Sequence, residues 1–580
     1  MIEARPKALH IEAFIDKLKR WGLTNKIRRC AIHDFDRQRW QANRLSVRFL
    51  EFKYRRQRTK PEEERYFAGY TAHRQTEAIA RLAYLRKVRR QLSQKVGENI
   101  WVQRSGRLIT WIQSSRLLAI FFGVLITLII PILLARLLLQ HCYWKCGAKT
   151  ESYSGVAVDH VFGIEQQVAG EVERTNYHDG FLVEDNADSP FHSIALFGYG
   201  WSLSEQQIDI ERQSAGRFRV FGMRGRRIII SPLAGFKILF HHWMVVINLL
   251  FLSSLKNNCQ KNYYALAYCR DRFLASLAFV ELLPTVYLSR LDYSHRHHAV
   301  GAACKEAGIH YAGICHSALG GDGYVPQRSI ISFDTFFVYS SWFPKHFFPT
   351  WSNPFTRIKT MGVWRSDLSV QAQQVNAIHQ KSRAIHQELQ KDWVVALHLP
   401  VPQAYMFDVN TVRQWMEGFT NLVSSYPDIA FILFPRRLSQ SPDFFQKQVA
   451  ILTGYKNCEL AEVLEPNWQQ SYRWSSVCDM VVGCFYSDTV AEALASEKPA
   501  VLYTDTGMGC PKVEQFERSL VAYTVEEIES AINHARAGTW PNESLWQRIH
   551  EQWLGVADGQ CMIRMRSVLA VTLASAKNNN

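Results

Sequence analysis

The run Val481-Val482-Gly483-Cys484-Phe485-Tyr486-Ser487-Asp488-Thr489-Val490-Ala491-Glu492-Ala493-Leu494-Ala495-Ser496-Glu497-Lys498-Pro499-Ala500-Val501-Leu502-Tyr503 decides how this chain is read. Its apolar start reads as a buried strand, its polar centre as a turn into a helix, and Lys498-Pro499 introduces a second strand. Ser487, Asp488 and Thr489 fall where the helix begins. A helix N-terminus offers unpaired N–H groups and about half a positive charge, which suits a bound phosphate. Ser, Asp and Thr are also good N-caps, so capping alone accounts for them as well.

The same alternation extends upstream. Val394–Leu399 reads as a strand, Asp408–Ser424 as a helix and Ile429–Phe434 as a strand, with a helix near Phe444–Leu452. Pro435-Arg436-Arg437 closes the Ile429 strand, where two guanidinium groups can clamp a diphosphate or simply face solvent. Glu492 lies one turn into the helix, placed for ribose hydroxyls, and Tyr503 ends the next strand, placed to close over a base or sugar.

An earlier series begins near residue 192. Thr285–Leu288 is a strand. A helix runs to Ala307 with Gly308 as its stop, and Ile309–Ile314 is the next strand. This β-α-β order demands a parallel sheet with helices on its faces. The Ile309 strand runs into Cys315-His316-Ser317 and a Gly-rich loop. An imidazole at a strand's carboxyl end, with a near-neutral pKa, suits general-base work on an acceptor hydroxyl. Arg290 and Arg296 flank the preceding helix start and could hold an acidic acceptor or phosphate. Phe333–Tyr339 and Ile358–Gly362 read as further strands, and residues 150–190 as acidic loop.

Charge divides the chain. Residues 1–116 hold 28 Lys+Arg against 11 Asp+Glu, and the overall net charge is +16. The arm therefore carries the basicity, and the body is balanced. Such an arm suits anionic lipid. It lacks the aromatic interleaving of a nucleic-acid binder, so no nucleic-acid partner is expected. Arg81–Arg90 has apolar positions at helical spacing among cations, as a membrane-surface helix does. Asp34-Phe35-Asp36 has a metal-binding D-x-D form but no strand before it, so it reads as coincidence.

Leu117–Ala135 is an uncharged apolar run of 19 residues, enough to cross a hydrocarbon core of about 30 Å. Pro131 interrupts the helical ladder and predicts a kinked, re-entrant anchor that leaves both flanks in the cytoplasm. Trp243–Leu255 is shorter and reads as a buried or interfacial helix. The twelve cysteines show no disulfide spacing, which predicts buried free thiols and a reducing compartment. His141, Cys142 and Cys146 lack a fourth zinc ligand, and palmitoylation of either cysteine is the better reading.

The array Ser487-Asp488, Glu492-Ala493-Leu494-Ala495, Lys498-Pro499 and Tyr503 resembles the donor-site segment of GT-B glycosyltransferases. It is nearest the bacterial surface polysaccharide biosynthesis proteins named for a Pro-Phe-Thr-Ser (PFTS) motif. It also resembles the glycerophosphotransferases that build teichoic acids. The stretch from Val286-Tyr287-Leu288-Ser289-Arg290 to His316 is similar to the acceptor side of the same families, whose base is a histidine. The likeness spans about residues 285–510. Cys484-Phe485-Tyr486-Ser487 stands where the named motif would be, and Ser317 replaces the usual glycine after the base.

The resemblance implies an α/β chain of two facing Rossmann-like domains of GT-B type. A basic helical arm (1–116) and one membrane segment (117–139) would precede an acceptor domain (150–365) and a donor-binding domain (366–580). His316 would be the catalytic base. Ser487, Asp488, Thr489, Arg436 and Arg437 would bind donor phosphate, and Glu492 and Tyr503 the ribose or base. Arg290, Arg296 and Ser317 would bind the acceptor. No metal and no cofactor beyond the nucleotide-sugar co-substrate is implied. The expected partners are that donor, a polysaccharide or lipid-linked acceptor, and the inner membrane, with the catalytic part facing the cytoplasm. Alternatives are a CDP-alditol-type phosphotransferase, a nucleotide-sugar 2-epimerase and a non-catalytic scaffold of polysaccharide assembly.

Overall fold

The structure is a computed structural model. It describes residues 66–67, 70–71, 116–147, 149–158, 186–198, 217–222, 228–252, 259–289, 295–315, 331–341, 356–363, 367, 376–400, 409–435, 438, 441–464, 474–475, 477–484, 488–504, 511–555 and 558–578.

Two large sheets organise the chain, and every strand pair in both is parallel. The first contains β2 (Glu151–Val158), β3 (Ile194–Gly198), β4 (Phe218–Gly222), β6 (Leu282–Ser289), β7 (His310–Ile314), β8 (Thr335–Val338) and β9 (Arg357–Thr360). Its spatial order is β4-β3-β2-β6-β7-β8-β9. The second contains β10 (Trp393–His398), β11 (Ile429–Phe434), β12 (Cys458–Leu460), β13 (Met480–Cys484), β14 (Ala500–Tyr503) and β15 (Val521–Ala522). Its order is β12-β11-β10-β13-β14-β15.

Counted within each sheet, both begin 3-2-1-4-5-6, the doubly wound Rossmann order. The order reverses between the first and fourth strands, and ligands of such sheets bind there at the carboxyl ends. Strands buried on both faces read as unbroken apolar runs, which is why Ile429–Phe434 and Met480–Cys484 are so plain in the sequence. β2 contradicts the loop expected over residues 150–190. Its first half, Glu151-Ser152, is exposed, and only Gly155–Val158 is buried, so the apolar signal is too short to stand out.

Helices cover the sheets. The first unit has α1 (Arg116–His141), α2 (Pro232–Ile247), α3 (Cys259–Glu281) and α4 (Arg296–Glu306). The second has α5 (Asn376–Leu389), α6 (Val409–Ser425), α7 (Asp443–Leu452), α8 (Asp488–Ala495) and α9 (Val525–Arg536), and α10 (Cys561–Asn578) ends the chain. Gly308 stops α4 in the left-handed region at φ +71°, as glycine allows without cost.

The apolar helices correct two expectations. α1 runs through Pro131 as one unbroken helix, without the re-entrant break. Among the described residues two helices, not one, are long and apolar enough to cross a membrane: Ile120–His141 and Pro232–Phe251. Ser231 caps α2 by accepting from Ala234 N at 3.2 Å, with Pro232 in the first turn. β1 (Cys142–Trp144), directly after α1, pairs with β5 (Ile228–Ile230), directly before α2. The indole of Trp243 donates to Thr127 O at 3.0 Å, and Phe251 packs against Gly123. α1 and α2 therefore lie antiparallel, with α3 packed against both.

The basic arm is anchored in this unit. Phe67 and Tyr70 are fully buried against Tyr268 of α3, with ring centroids 5.4 and 5.3 Å away.

The last helix crosses back. α10 packs on β2 and β6 of the first sheet, so the expected 366–580 domain lends its final helix to the other one. Asp367 caps α10 from a distance: its two carboxylate oxygens accept from Cys561 N at 3.0 Å and Met562 N at 2.8 Å. Burial raises this carboxyl's pKa, against the pull of those amides. Arg564 donates to Met361 O at 2.7 and 2.9 Å. Ser340 Oγ donates to Trp553 O at 2.9 Å. Gly555, at φ +75°, passes so close to Tyr339 O that a Cβ would sit 2.4 Å from it.

Asp367→Ala is expected to remove about 1–2 kcal/mol of stability, the worth of a charged N-cap. Gly555→Ala should cost more, because it combines a steric clash with a left-handed backbone. Thermal melts of the two variants check both, and unchanged melting would show that α10 is not held at this junction.

Candidate functional site

The switch point of the second sheet lies between β10 and β13. Leu397 pairs with Val482, so His398 stands level with Gly483 at the carboxyl edge. β13 ends at Cys484, and α8 starts at Asp488, where the helix onset was expected. The short connection aims the α8 N-terminus at that edge. Thr489 and Glu492 lie in the first turns of α8 and are buried. Ser487, Arg436 and Arg437 lie outside the described residues, as does the side chain of Asp488. The helix is seated by Lys498 N donating to Ala493 O at 2.9 Å, and Pro499 O accepts from Val481 N to begin the β13–β14 ladder.

Tyr503 corrects an expectation. It is fully buried between Trp415 and Phe419 of α6. Its hydroxyl donates to His398 O at 2.6 Å, which ties β14 to β10. Burial pushes its phenol well above the ordinary pKa, so it stays a neutral donor. It has no exposed atom with which to meet a base or sugar.

His398 was missed by sequence reasoning. Its ring stacks on Phe434 at 4.6 Å and 14°, and Phe434 meets Trp474 edge-on at 5.5 Å. Its Nε2 is buried without a hydrogen-bond partner. Burial lowers its pKa to about 4, so the ring is neutral at pH 7. The available signal was positional: His398 ends the first strand of a doubly wound sheet and so borders the switch point.

The switch point of the first sheet lies between β2 and β6. On the neighbouring β7, Cys315 N donates to Phe337 O at 2.9 Å and is the last described residue before His316. His316, Ser317 and Arg290 lie outside the described residues. Arg296 opens α4, but its Nε lies 3.9 Å from Asp271 Oδ2. Burial opposes charge on Asp271, yet Arg270, Arg296 and His295 hold its carboxyl below the usual range. Tyr70 of the arm donates to the same carboxylate at 2.9 Å. Arg296 thus takes part in an ion cluster around Asp271 that clips the arm to α3 and α4, while 31% of its side chain stays exposed.

Among the described residues no cluster of three His, Cys, Asp or Glu side chains could hold a metal. Cys142 is buried and Cys146 exposed, and seven of the nine described free cysteines are buried. One cavity of about 400 Å³ lies where Tyr153 and Ser189 meet Ala570 of α10. Another, of about 330 Å³, lies between α1 and α3. Neither lies at a switch point.

No protein-family model matches the chain, and no curated protein matches its sequence. Solved structures overlap it weakly. Trehalose 6-phosphate synthase from Burkholderia multivorans is 12% identical, with a TM-score of 0.42 over 74% of this chain and 98% of that one. UDP-GlcNAc 2-epimerase from Neisseria meningitidis, bound to UDP-GlcNAc, is 13% identical with a TM-score of 0.41, over 73% and 100%. The wall teichoic acid polymerase TagF is 10% identical with a TM-score of 0.38, over 79% and 98%. Likenesses of this degree carry no activity across, and the chain's own residues decide the reading.

The neutral His398 has a measurable consequence. Its folded pKa lies below its unfolded one, so the unfolded chain takes up the proton first. Stability is therefore lost as pH falls from about 6.5 toward 4, by up to about 3 kcal/mol. His398→Gln should flatten that part of the stability–pH curve, as thermal melts across this range would read. An equal slope in the variant would show that His398 is not the buried neutral group.

Proposed function

We propose that this chain is a membrane-attached glycosyltransferase of GT-B type that uses a nucleotide-activated sugar in surface polysaccharide biosynthesis. The observation that carries the reading is the second sheet: a 3-2-1-4-5-6 order whose switch point is bordered by the α8 N-terminus. Backbone amides and the helix dipole there favour the donor's diphosphate. Ser487, Asp488 and Thr489 provide the onset of the helix, and Arg436 and Arg437 provide countercharge after β11. In this reading those groups, rather than a divalent cation, neutralise the departing nucleotide. Fixed dipoles aimed at developing charge contribute much of the rate in such transfers.

His316 follows β7 of the first sheet and acts as general base. It takes the proton of the acceptor hydroxyl as that oxygen attacks the sugar's anomeric carbon and the nucleotide diphosphate leaves. Arg290 and Ser317 hold the acceptor. The two apolar helices on the acceptor unit support attachment to a membrane. Nucleotide sugars are cytoplasmic, which sets the catalytic part on that face of the inner membrane.

A thermal-shift screen of the whole protein against CMP, CDP, UDP, GDP and their sugars tests the reading. A ligand at 100 times its Kd should stabilise by about 2.7 kcal/mol. His316→Ala should lower turnover by about 10²–10⁴-fold and leave that shift intact. The double variant Ser487→Ala with Arg436→Ala should shrink the shift itself. No response to any nucleotide would overturn the proposal.

A further inference from the structure

α1 and α2 turn a broad apolar surface outward. On α1, Phe121, Leu128, Ile132 and Leu139 are exposed, Ile132 by 69%, and on α2 Phe236 is exposed by 64%. Two histidines of α2 are engaged by neighbouring helices rather than by this face. His242 is buried beside Ser276 and Phe273 of α3, and His241 Nε2 lies 2.9 Å from Glu306 Oε1. An outward apolar face of this extent on a soluble body is a docking surface.

Within it lies the groove of about 330 Å³ between α1 and α3. Leu133 and Leu137 of α1 and Leu266 of α3 form apolar walls, and Arg136, Gln140 and Arg270 also line it. Asn262 lies beside Gly123, while Arg270 shares the groove with Arg136, so α1 and α3 run parallel. Arg270 is the last lining residue on α3, and Arg136 lies between Leu133 and Leu137 on α1, so both cations sit toward one end with apolar wall beside them. Among the described residues no acidic side chain lines the groove. Arg270 already pairs with the buried Asp271 at 2.7 Å but keeps 48% of its side chain exposed, and Arg136 is exposed.

We propose that this groove binds an anionic membrane phospholipid, with its headgroup phosphate at Arg136 and Arg270 and the start of a hydrocarbon chain between Leu133, Leu137 and Leu266. The proposal rests on the membrane attachment inferred above. Charge complementarity selects the occupant: guanidinium groups pair with phosphate oxygens, often in two-point fashion. A partner protein would leave the adjoining α1–α2 face uncovered, whereas a bilayer covers both face and groove.

The test uses the full chain and phosphatidylcholine vesicles that carry a minor fraction of a diazirine-tagged lipid, either phosphatidylglycerol or phosphatidylcholine. Flotation with neutral vesicles reads attachment alone. Attached protein should be labelled by the phosphatidylglycerol probe in peptides spanning 130–140 and 263–270. Arg136→Gln, at an exposed position, should lower that labelling about fivefold, the worth of one cation at an anionic surface. Ala267→Phe fills the groove without altering charge and should lower labelling by both probes. The basic arm attracts anionic lipid too, but that attraction survives both substitutions. Labelling of other segments only, or labelling unchanged in both variants, would overturn the groove. Failure to float with neutral vesicles would overturn the attachment and the groove together.

Discussion

A parallel sheet must be covered on both faces, and here the first sheet draws its cover from distant parts of the chain. α3 and α4 come from within its own unit, Phe67 and Tyr70 from the arm, and α10 from the far end of the sequence. The clip that makes this possible is the Asp367 carboxylate on the amides of Cys561 and Met562. An anionic group at a helix N-terminus meets both the dipole and the orphan N–H groups. The two units are therefore joined by more than a linker, since the first sheet takes part of its cover from the final helix of the second.

The same covering requirement ties the apolar helices to the transfer chemistry. α3 supports β6 on one side and carries α1 and α2 on the other. The unit that bears the proposed base is thus also the unit with the outward apolar surface. Under the proposed function, an acceptor held in or near the bilayer would reach the first sheet without leaving the interface, and a soluble donor would enter at the second.

What the sequence made legible follows from burial. Ile429–Phe434 was read with its exact ends, and the α8 onset and the helix stop at Gly308 to within a residue or so, because continuous apolar runs and glycine punctuation are local signals. β2 was lost because half of it is exposed and polar. α2 was underestimated because Lys237, His241 and His242 break its hydropathy, although His242 is turned inward to α3. Tyr503 was placed at a ligand because it sits near a carboxyl edge, but it is consumed by a strand-to-strand bond. Which way a side chain turns, and what has already claimed it, is decided by partners far away in sequence.

The β1–β5 pairing, which locks the base of α1 to the base of α2, also bears on how the protein is made. Ribosomes add about 5–20 residues per second, so α1 emerges several seconds before its partner exists. Through that interval its oily flank has no protein to hide behind. A nascent chain built this way does best where lipid or a holdase is at hand from the moment Cys142 leaves the exit tunnel.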